Sequence, residues 1–293
     1  MSLLLQLGTT GLVLGLLYGL FAYGLSLIFA TTGIFHFAHG LTIVAAAYAF
    51  WWVAVGLGLP VWLGILAALL LGAAVGAGAY QLVYRPLLKR KADHTVILVA
   101  SLTVMTLGQG LLLLIFGTGP KAFPPGDFSR WGFALGPVNI RSWDILVVVS
   151  AGVILLALYL LQNKTSFGLA LRAVGDNPRR AQTLGFSLTR TYLLAFVIGS
   201  LVAAIPGVLI AVQTPVIATL GFSLLLKSVV AIIIGGVGNL TGALYGGLLI
   251  GLAESISTFF LPAVWSEFVV FALLFIFIVL RPTGIRTNTA RLA

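Results

Sequence analysis

Residues 162–190 read Gln-Asn-Lys-Thr-Ser-Phe-Gly-Leu-Ala-Leu-Arg-Ala-Val-Gly-Asp-Asn-Pro-Arg-Arg-Ala-Gln-Thr-Leu-Gly-Phe-Ser-Leu-Thr-Arg, and on either side the chain is almost unbroken hydrocarbon. A charged segment between two long apolar runs reads as a water-exposed loop joining two membrane spans. The loop carries helix signals of its own. Asp176 or Asn177 suits an N-cap, Pro178 the first helical position with its fixed φ, and Gly185 the left-handed residue that ends a helix. Together they predict a helix of about two turns presenting Arg179 and Arg180 to water. A plain connector needs no such start and stop, so the segment 163–190 is expected to be a docking surface. A basic loop that merely obeys membrane topology is the alternative.

The rest of the composition agrees with that setting. Hydrophobic residues make up 60% of the chain and charged ones 8%, against about a quarter charged in soluble domains, and mean hydropathy is +1.17. Residues 1–84 contain no Asp, Glu, Lys or Arg. Apolar runs of about twenty residues recur, each able to cross about 30 Å of hydrocarbon. They are apolar on every face, as spanning helices are, whereas barrel strands alternate. The expected fold is therefore all-α, a polytopic transmembrane helix bundle. Without cysteine there is no disulfide, thiolate nucleophile or thiolate metal site. The first cation is Arg85, so the start lacks the basic region of a cleaved signal, and the first span is taken as part of the mature chain.

The net charge of +10 marks a membrane side and is not a nucleic-acid footprint. Twelve of the sixteen basic residues fall in three stretches, Arg85, Lys89, Arg90, Lys91, then Lys164, Arg172, Arg179, Arg180, Arg190, then Arg281, Arg286, Arg291. The positive-inside bias puts these in the cytoplasm. Lys121, Arg130 and Arg141 are balanced by Asp127 and Asp144, which suits an external loop at 118–142 folded into a small cap. Spans are expected at 9–30, 40–58, 61–83, 95–117, 143–161, 191–212, 223–238, 241–260 and 264–280, eight or nine in all, within one transmembrane domain over 1–293. The uncharged stretch 31–39 reads either as an inside turn or as a re-entrant break.

Gly11, Gly15 and Gly19, like Gly238, Gly242 and Gly246, repeat four apart and predict close helix packing. Two Gly-interrupted polar breaks, around Gly33–Gly40 and Gly235–Gly242, fall in the first and last thirds of the chain, a pattern that points to a transport pathway. The polar residues within apolar runs are His36, His39, Gln109, Gln213, Lys227, Asn239 and Glu254, each a functional candidate because polar groups are costly in lipid. His36 and His39 lack a third ligand, so no metal site is expected. Lys227 either snorkels to the interface or lines a path, and Glu254 either lines a cavity or pairs with Lys227. No phosphate loop, zincin or nucleophile-elbow motif is present, and no string of carboxylates suits a proton-driven pump. Any active transport must draw its energy from another subunit, and no catalytic residue is assigned.

Five ordered motifs carry a specific resemblance: Phe35-His-Phe-Ala-His-Gly40, Tyr84-Arg-Pro-Leu87, Gly168 to Gly185, Gly235-Gly-Val-Gly-Asn239 and Arg281-Pro-Thr-Gly284. In order and spacing they resemble branched-chain amino acid permeases of ATP-binding-cassette importers, the LivH/LivM type. The likeness covers essentially the whole chain and fits the LivH side better. His36 stands where the family pattern has Asn.

The resemblance implies a non-catalytic permease subunit in a bacterial or archaeal plasma (inner) membrane, paired as a heterodimer with a second related permease. Two cytoplasmic ATPase subunits would hold ATP and Mg, an external solute-binding protein would deliver solute, and no cofactor would belong to this chain. The coupling segment maps onto Asp176, Asn177, Pro178, Arg179, Arg180 and Gly185. Candidate solute-path residues are His36, His39, Gly40, Gln109, Lys227, Gly238, Asn239 and Glu254. The implied solute is leucine, isoleucine, valine or a similar small molecule. The competing reading is an ATP-independent channel or secondary transporter for a small polar solute such as urea or an amide.

Overall fold

A computed structural model describes residues 2–124, 131–136, 138–281 and 284–285. Asp127 and Arg130 of the expected cap, Pro282 and Thr283 of the last motif, and Arg286 and Arg291 lie outside the described residues. The expected helical bundle is what the chain forms. Its helices are α1 (Ser2–Thr32), α2 (His39–Trp51), α3 (Val61–Gly78), α4 (Arg85–Lys89), α5 (His94–Phe116), α6 (Ser142–Lys164), α7 (Ser166–Asp176), α8 (Pro178–Thr183), α9 (Leu188–Gln213), α10 (Leu220–Gly235), α11 (Leu240–Phe260) and α12 (Ser266–Leu280). π-Helical runs extend α2 through Trp52–Gly56 and join α3 to α4 through Ala79–Tyr84. Within the 118–142 loop, strands β1 (Gly132–Leu135) and β2 (Val138–Arg141) pair antiparallel, Gly132 opposite Arg141.

Among the described residues eight helices are long and apolar enough to cross a membrane, and α10 is a ninth, shorter apolar helix. Its 16 residues rise about 24 Å, short of the roughly 30 Å hydrocarbon thickness. The expectation of a span at 223–238 is displaced by three residues. Gly236 (φ +105°) and Gly238 (φ +81°) leave right-handed space and stop α10 at Gly235, and Asn239 caps α11 by accepting from Gly242 N–H at 2.9 Å.

By backbone contacts the chain divides into two compact units. The first comprises Met1–Ser26, Pro124–Leu156 and Leu226–Ala293; the second, Leu27–Phe123 and Ala157–Leu225. In the first unit Gly11, Gly15 and Gly19 do meet a partner helix, as do Gly242 and Gly246, whereas Gly238, expected on the same face, lies in the left-handed turn (φ +81°) before α11. A Cβ on Gly15 would sit 2.7 Å from Leu248 Cα, and one on Gly251 2.2 Å from Gly15 N, so α1 and α11 touch through their backbones. Gly235 and Gly242 close α10 on α11 in the same way. Without water between helices in lipid, such backbone approach is where the dispersion contact comes from. Gln6 fastens α1 to the hairpin, donating to Asn139 C=O at 3.2 Å and accepting from Asn139 N–H at 2.7 Å.

In the second unit α2 lies packed against both α3 and α9, and all its residues from His39 to Phe50 except Leu41 are buried. Ile28, Ile34, Tyr80, Tyr84, Ile97 and Phe196 form a continuous apolar cluster at its start. The stretch 33–38 is a tight connection between two long helices, not an aqueous loop: Ile34, His36 and Ala38 are all buried. Gly33 (φ +72°) ends α1 there, with Thr32 Oγ1 donating to Ile28 C=O (2.7 Å) and accepting from Ile34 N–H (3.1 Å).

Candidate functional site

The basic segment is more structured than its charge suggests. Thr165 caps α7, its hydroxyl accepting from Gly168 N–H at 3.1 Å. Gly168, Leu171 and Val174, three apart, make the buried stripe of that helix. Arg172 Nη1 donates to Asn163 Oδ1 at 3.1 Å on the other side. The residue that caps α8 is Asn177, whose Oδ1 accepts from Arg180 N–H at 3.0 Å; Asp176 closes α7 and is exposed. Pro178 opens α8. At its end Gly185 N–H donates to Gln182 C=O and Phe186 N–H to Ala181 C=O, both 3.0 Å, with Gly185 at φ +88°. This is the Schellman arrangement, which satisfies the last carbonyls and needs a residue tolerant of left-handed backbone. Ala181 is buried beneath, while Arg179, Arg180 and Leu184 face outward, Leu184 with 74% of its surface exposed. A two-cation ridge with an apolar knob is thus held rigidly on the surface.

The first polar break is tied by a buried relay. Tyr84 Oη donates to Ser101 Oγ at 2.7 Å, and Ser101 Oγ also accepts the N–H of Ala38 at 3.1 Å. With the Tyr84 proton committed to Ser101, His36 Nδ1, 2.8 Å from Tyr84 Oη, is the donor of that bond. The His36 ring stands edge-on to Phe196 (4.9 Å), Tyr84 (5.4 Å) and His39 (5.7 Å). Both histidines are fully buried. The relay therefore satisfies a backbone N–H freed by the break, in a place with no water to do so. Gly40 lies against Gly221, whose carbonyl would be 2.6 Å from an added Cβ. Among the described residues no three His, Asp or Glu side chains converge as a metal site.

In the other unit Lys227 and Glu254 do pair. Lys227 Nζ lies 2.6 Å from Glu254 Oε1 and donates to Tyr18 Oη at 3.3 Å, with the ammonium also 5.1 Å from the Tyr18 ring. The three side chains join α10, α11 and α1, and the side chains of Lys227 and Glu254 are only 11% and 14% exposed. Gly238 and Asn239 belong to the turn that starts α11, Asn239 Oδ1 accepting from Thr241 Oγ1 as well as from Gly242 N–H, both at 2.9 Å. They serve the helix start, not the ion pair. Gln109 differs from all of these: half-buried on α5 beside the exposed Thr106 and Gly110, it makes no hydrogen bond with any described residue. Sequence reading missed Tyr18, Tyr84 and Ser101. Tyr84 opened a quoted motif, which was the one available signal; Tyr18 and Ser101 gave none, being common residues in apolar runs.

A family model described as the branched-chain amino acid transport system / permease component matches residues 8–278. The chain belongs to that family. The permease is 29% identical to the LivH high-affinity branched-chain amino acid transport permease of Salmonella typhimurium, over 96% of this chain and 94% of the relative. It is equally similar to BraD of Pseudomonas aeruginosa, 29% over 96% and 95%. A probable LivH of Methanocaldococcus jannaschii is 30% identical over 84% of this chain and 79% of its own length. Among solved structures, PsaBC from Streptococcus pneumoniae in complex with Fab superposes with a TM-score of 0.51 at 17% identity, covering 94% of this permease and 91% of that chain, a likeness of fold. The permease is thus a multi-pass protein of the bacterial or archaeal inner membrane, a transport component and not an enzyme.

Proposed function

We propose that this permease carries branched-chain, or similarly small aliphatic, amino acids inward as one membrane subunit of an ATP-binding-cassette importer. Two cytoplasmic ATPase subunits, holding ATP and Mg, would drive it, a related permease would pair with it, and an external solute-binding protein would hand over the solute. The observation that carries the reading is α8: six residues with a side-chain cap at one end, a Schellman stop at the other, and Arg179, Arg180 and Leu184 outward. A helix this short is marginal alone. Its caps at both ends and its buried Ala181 support a rigid contact surface for a soluble partner. The basic stretches at 85–91 and 163–190 put that surface on the cytoplasmic side, and the 118–142 loop with its hairpin outside.

Of the expected path residues, Gln109 alone offers an unpartnered polar group near an exposed helix face. We infer that His36, His39, Gly40, Lys227, Gly238, Asn239 and Glu254 act from behind it, holding the helix breaks and helix contacts. The test is purification with the proteins encoded beside it, followed by uptake of labelled leucine into proteoliposomes containing ATP and external binding protein. Uptake that needs ATP and co-purified ATPases is expected. Flux through this chain alone would overturn the proposal in favour of a channel or secondary carrier.

A further inference from the structure

Residues 85–93 read Arg-Pro-Leu-Leu-Lys-Arg-Lys-Ala-Asp, with four cations in the first seven positions. The backbone holds them in a fixed turn. Arg90 N–H donates to Pro86 C=O (3.1 Å), Lys91 N–H to Leu88 C=O (3.1 Å) and Ala92 N–H to Leu87 C=O (3.0 Å), the Schellman stop of α4. Leu87, Leu88 and Ala92 pack on the apolar cluster around Tyr84, so the turn is clamped while Arg85, Lys89, Arg90 and Lys91 stay exposed. The stop sets Lys91 at φ +52°, where a side chain strains the backbone. Among the described residues the other eight positive-φ positions are all glycine. Charge for membrane sidedness could sit anywhere on the loop; at this position glycine would relieve the backbone, and lysine brings only its ammonium. Asp93, the one carboxylate of the stretch, accepts His94 N–H at 2.9 Å as the cap of α5, and the four cations form no ion pair among the described residues.

Beside this turn an apolar groove of about 550 Å³ runs between α5 and the π-helical end of α3. Val83, two residues before Arg85, and Thr95 and Val96, just after the turn, bound its cytoplasmic end; Val99, Thr103 and Leu107 continue it along α5. From Thr95 to Leu107 the helix rises about 18 Å, against roughly 15 Å for one leaflet of the hydrocarbon core. Thr103 spends its hydroxyl on Val99 C=O at 2.9 Å, so the lining offers hydrocarbon contact and little else. The groove of about 330 Å³ between α1, the hairpin and α6 differs at its mouth: the cation there, Arg141, is paired at 3.2 Å with Asp144, which itself lines that groove. At α5 a channel one leaflet long opens instead beside a cluster of net positive charge. A molecule with an anionic head and an apolar tail matches both features, and the bilayer supplies one.

We propose that the turn and groove bind one anionic phospholipid of the cytoplasmic leaflet, its phosphate held by Lys89, Arg90 and Lys91 with Arg85 beside them, and one acyl chain laid along α5. The site goes beyond the importer reading and needs only the cytoplasmic placement of residues 85–91, so a wild-type permease without ATP-dependent uptake would leave it standing. The test is titration of the delipidated full-length permease in detergent with phosphatidylglycerol, read by native mass spectrometry. Phosphatidylcholine serves as the zwitterionic comparison and glycerol phosphate as the headgroup alone. Wild type should prefer phosphatidylglycerol to either by about tenfold or more, and Lys89→Gln with Arg90→Gln and Lys91→Gly, the last of which also relieves the backbone, should remove that preference. Val99→Trp, at an exposed position, keeps every charge but fills the groove, and should weaken phosphatidylglycerol by about threefold. Arg179→Gln with Arg180→Gln, a similar loss of charge on α8, should change binding by less than about twofold, because charges farther away are screened. Unchanged phosphatidylglycerol binding in the triple variant would overturn the proposal, and loss of a protein partner in that same variant would reassign the turn to a protein contact. An equal loss in the Arg179, Arg180 variant would reduce the preference to diffuse surface charge. Glycerol phosphate binding as tightly as the lipid, undisturbed by Val99→Trp, would make the turn a site for soluble phosphate and sink the lipid assignment.

Discussion

Two buried polar clusters, one in each compact unit, solve different problems. His36, Tyr84 and Ser101 form a neutral relay around a broken backbone, and one of its bonds goes to the chain itself, at Ala38 N–H. Lys227, Glu254 and Tyr18 form a charged pair with a phenol between three helices that are intact at those positions. The relay repairs a local deficit. The ion pair creates a mutual dependence, because either charge left alone in that place is far more costly than both together. The difference teaches that intramembrane polar residues in this permease are not one class: some are there because the backbone needs them, others because two helices need each other.

The largest effect expected follows from the pair. Lys227→Met leaves Glu254 buried without its counter-ion and should cost about 3–5 kcal/mol, whereas Lys227→Met with Glu254→Leu should recover most of it, since replacing both charges by apolar groups is often neutral or better. The unfolding midpoint of the purified permease in detergent reads this directly. If the double variant is no better than the single, Lys227 and Glu254 are not acting on each other and the contrast with the relay collapses.

That pairing also marks how far the sequence could be read. Apolar runs located eight long helices and placed most ends within a few residues, because hydrocarbon thickness sets length and charge sets ends. Asn177, Pro178 and Gly185 announced α8, since capping is a local affair between neighbours in sequence. What escaped was either non-local or masked by composition. Tyr84 and Ser101 reach His36 from 48 residues away and then 17 further on, and no local pattern encodes that. Helix α7 was hidden inside a stretch read as loop because its charges outweighed a stripe of only Gly168, Leu171 and Val174. The limits of α10 slipped because glycine permits both a helix and its end, and only the left-handed φ at Gly236 shows which.

The relay should be weaker. Ser101→Ala removes the acceptor of both Tyr84 Oη and Ala38 N–H, and a buried donor left unsatisfied costs about 1–3 kcal/mol. His36→Asn keeps a polar side chain beside Tyr84 and should cost less than Ser101→Ala by the same unfolding measurement. A larger loss for His36→Asn would mean that ring packing against Phe196, not the hydrogen bond, is what His36 supplies.

Outside the membrane the scale falls again. Asn177→Ala deletes the cap of α8 and should cost about 1 kcal/mol, spent on local fraying of 178–183. Proteolysis within the 163–190 segment, slower in wild type than in the variant, would check it; equal cleavage rates would show that the Asn177 cap does not hold α8 in solution.

The smallest effect on stability should come with the largest effect on work. Arg179→Glu with Arg180→Glu alters two exposed side chains that form no ion pair among the described residues, so folding should change by no more than about 0.5 kcal/mol. Neither cluster that holds the two units would be touched. Yet if α8 is the surface on which the ATPase subunits act, reversing both charges replaces attraction by repulsion at the rim of that contact. ATP hydrolysis stimulated by solute-loaded binding protein should then be lost, at least tenfold, in proteoliposomes containing the same amount of inserted permease. Both quantities must come from one preparation, because a fall in inserted protein would imitate the loss. Retained stimulation at full insertion would leave α8 as a well-capped surface helix with no part in coupling.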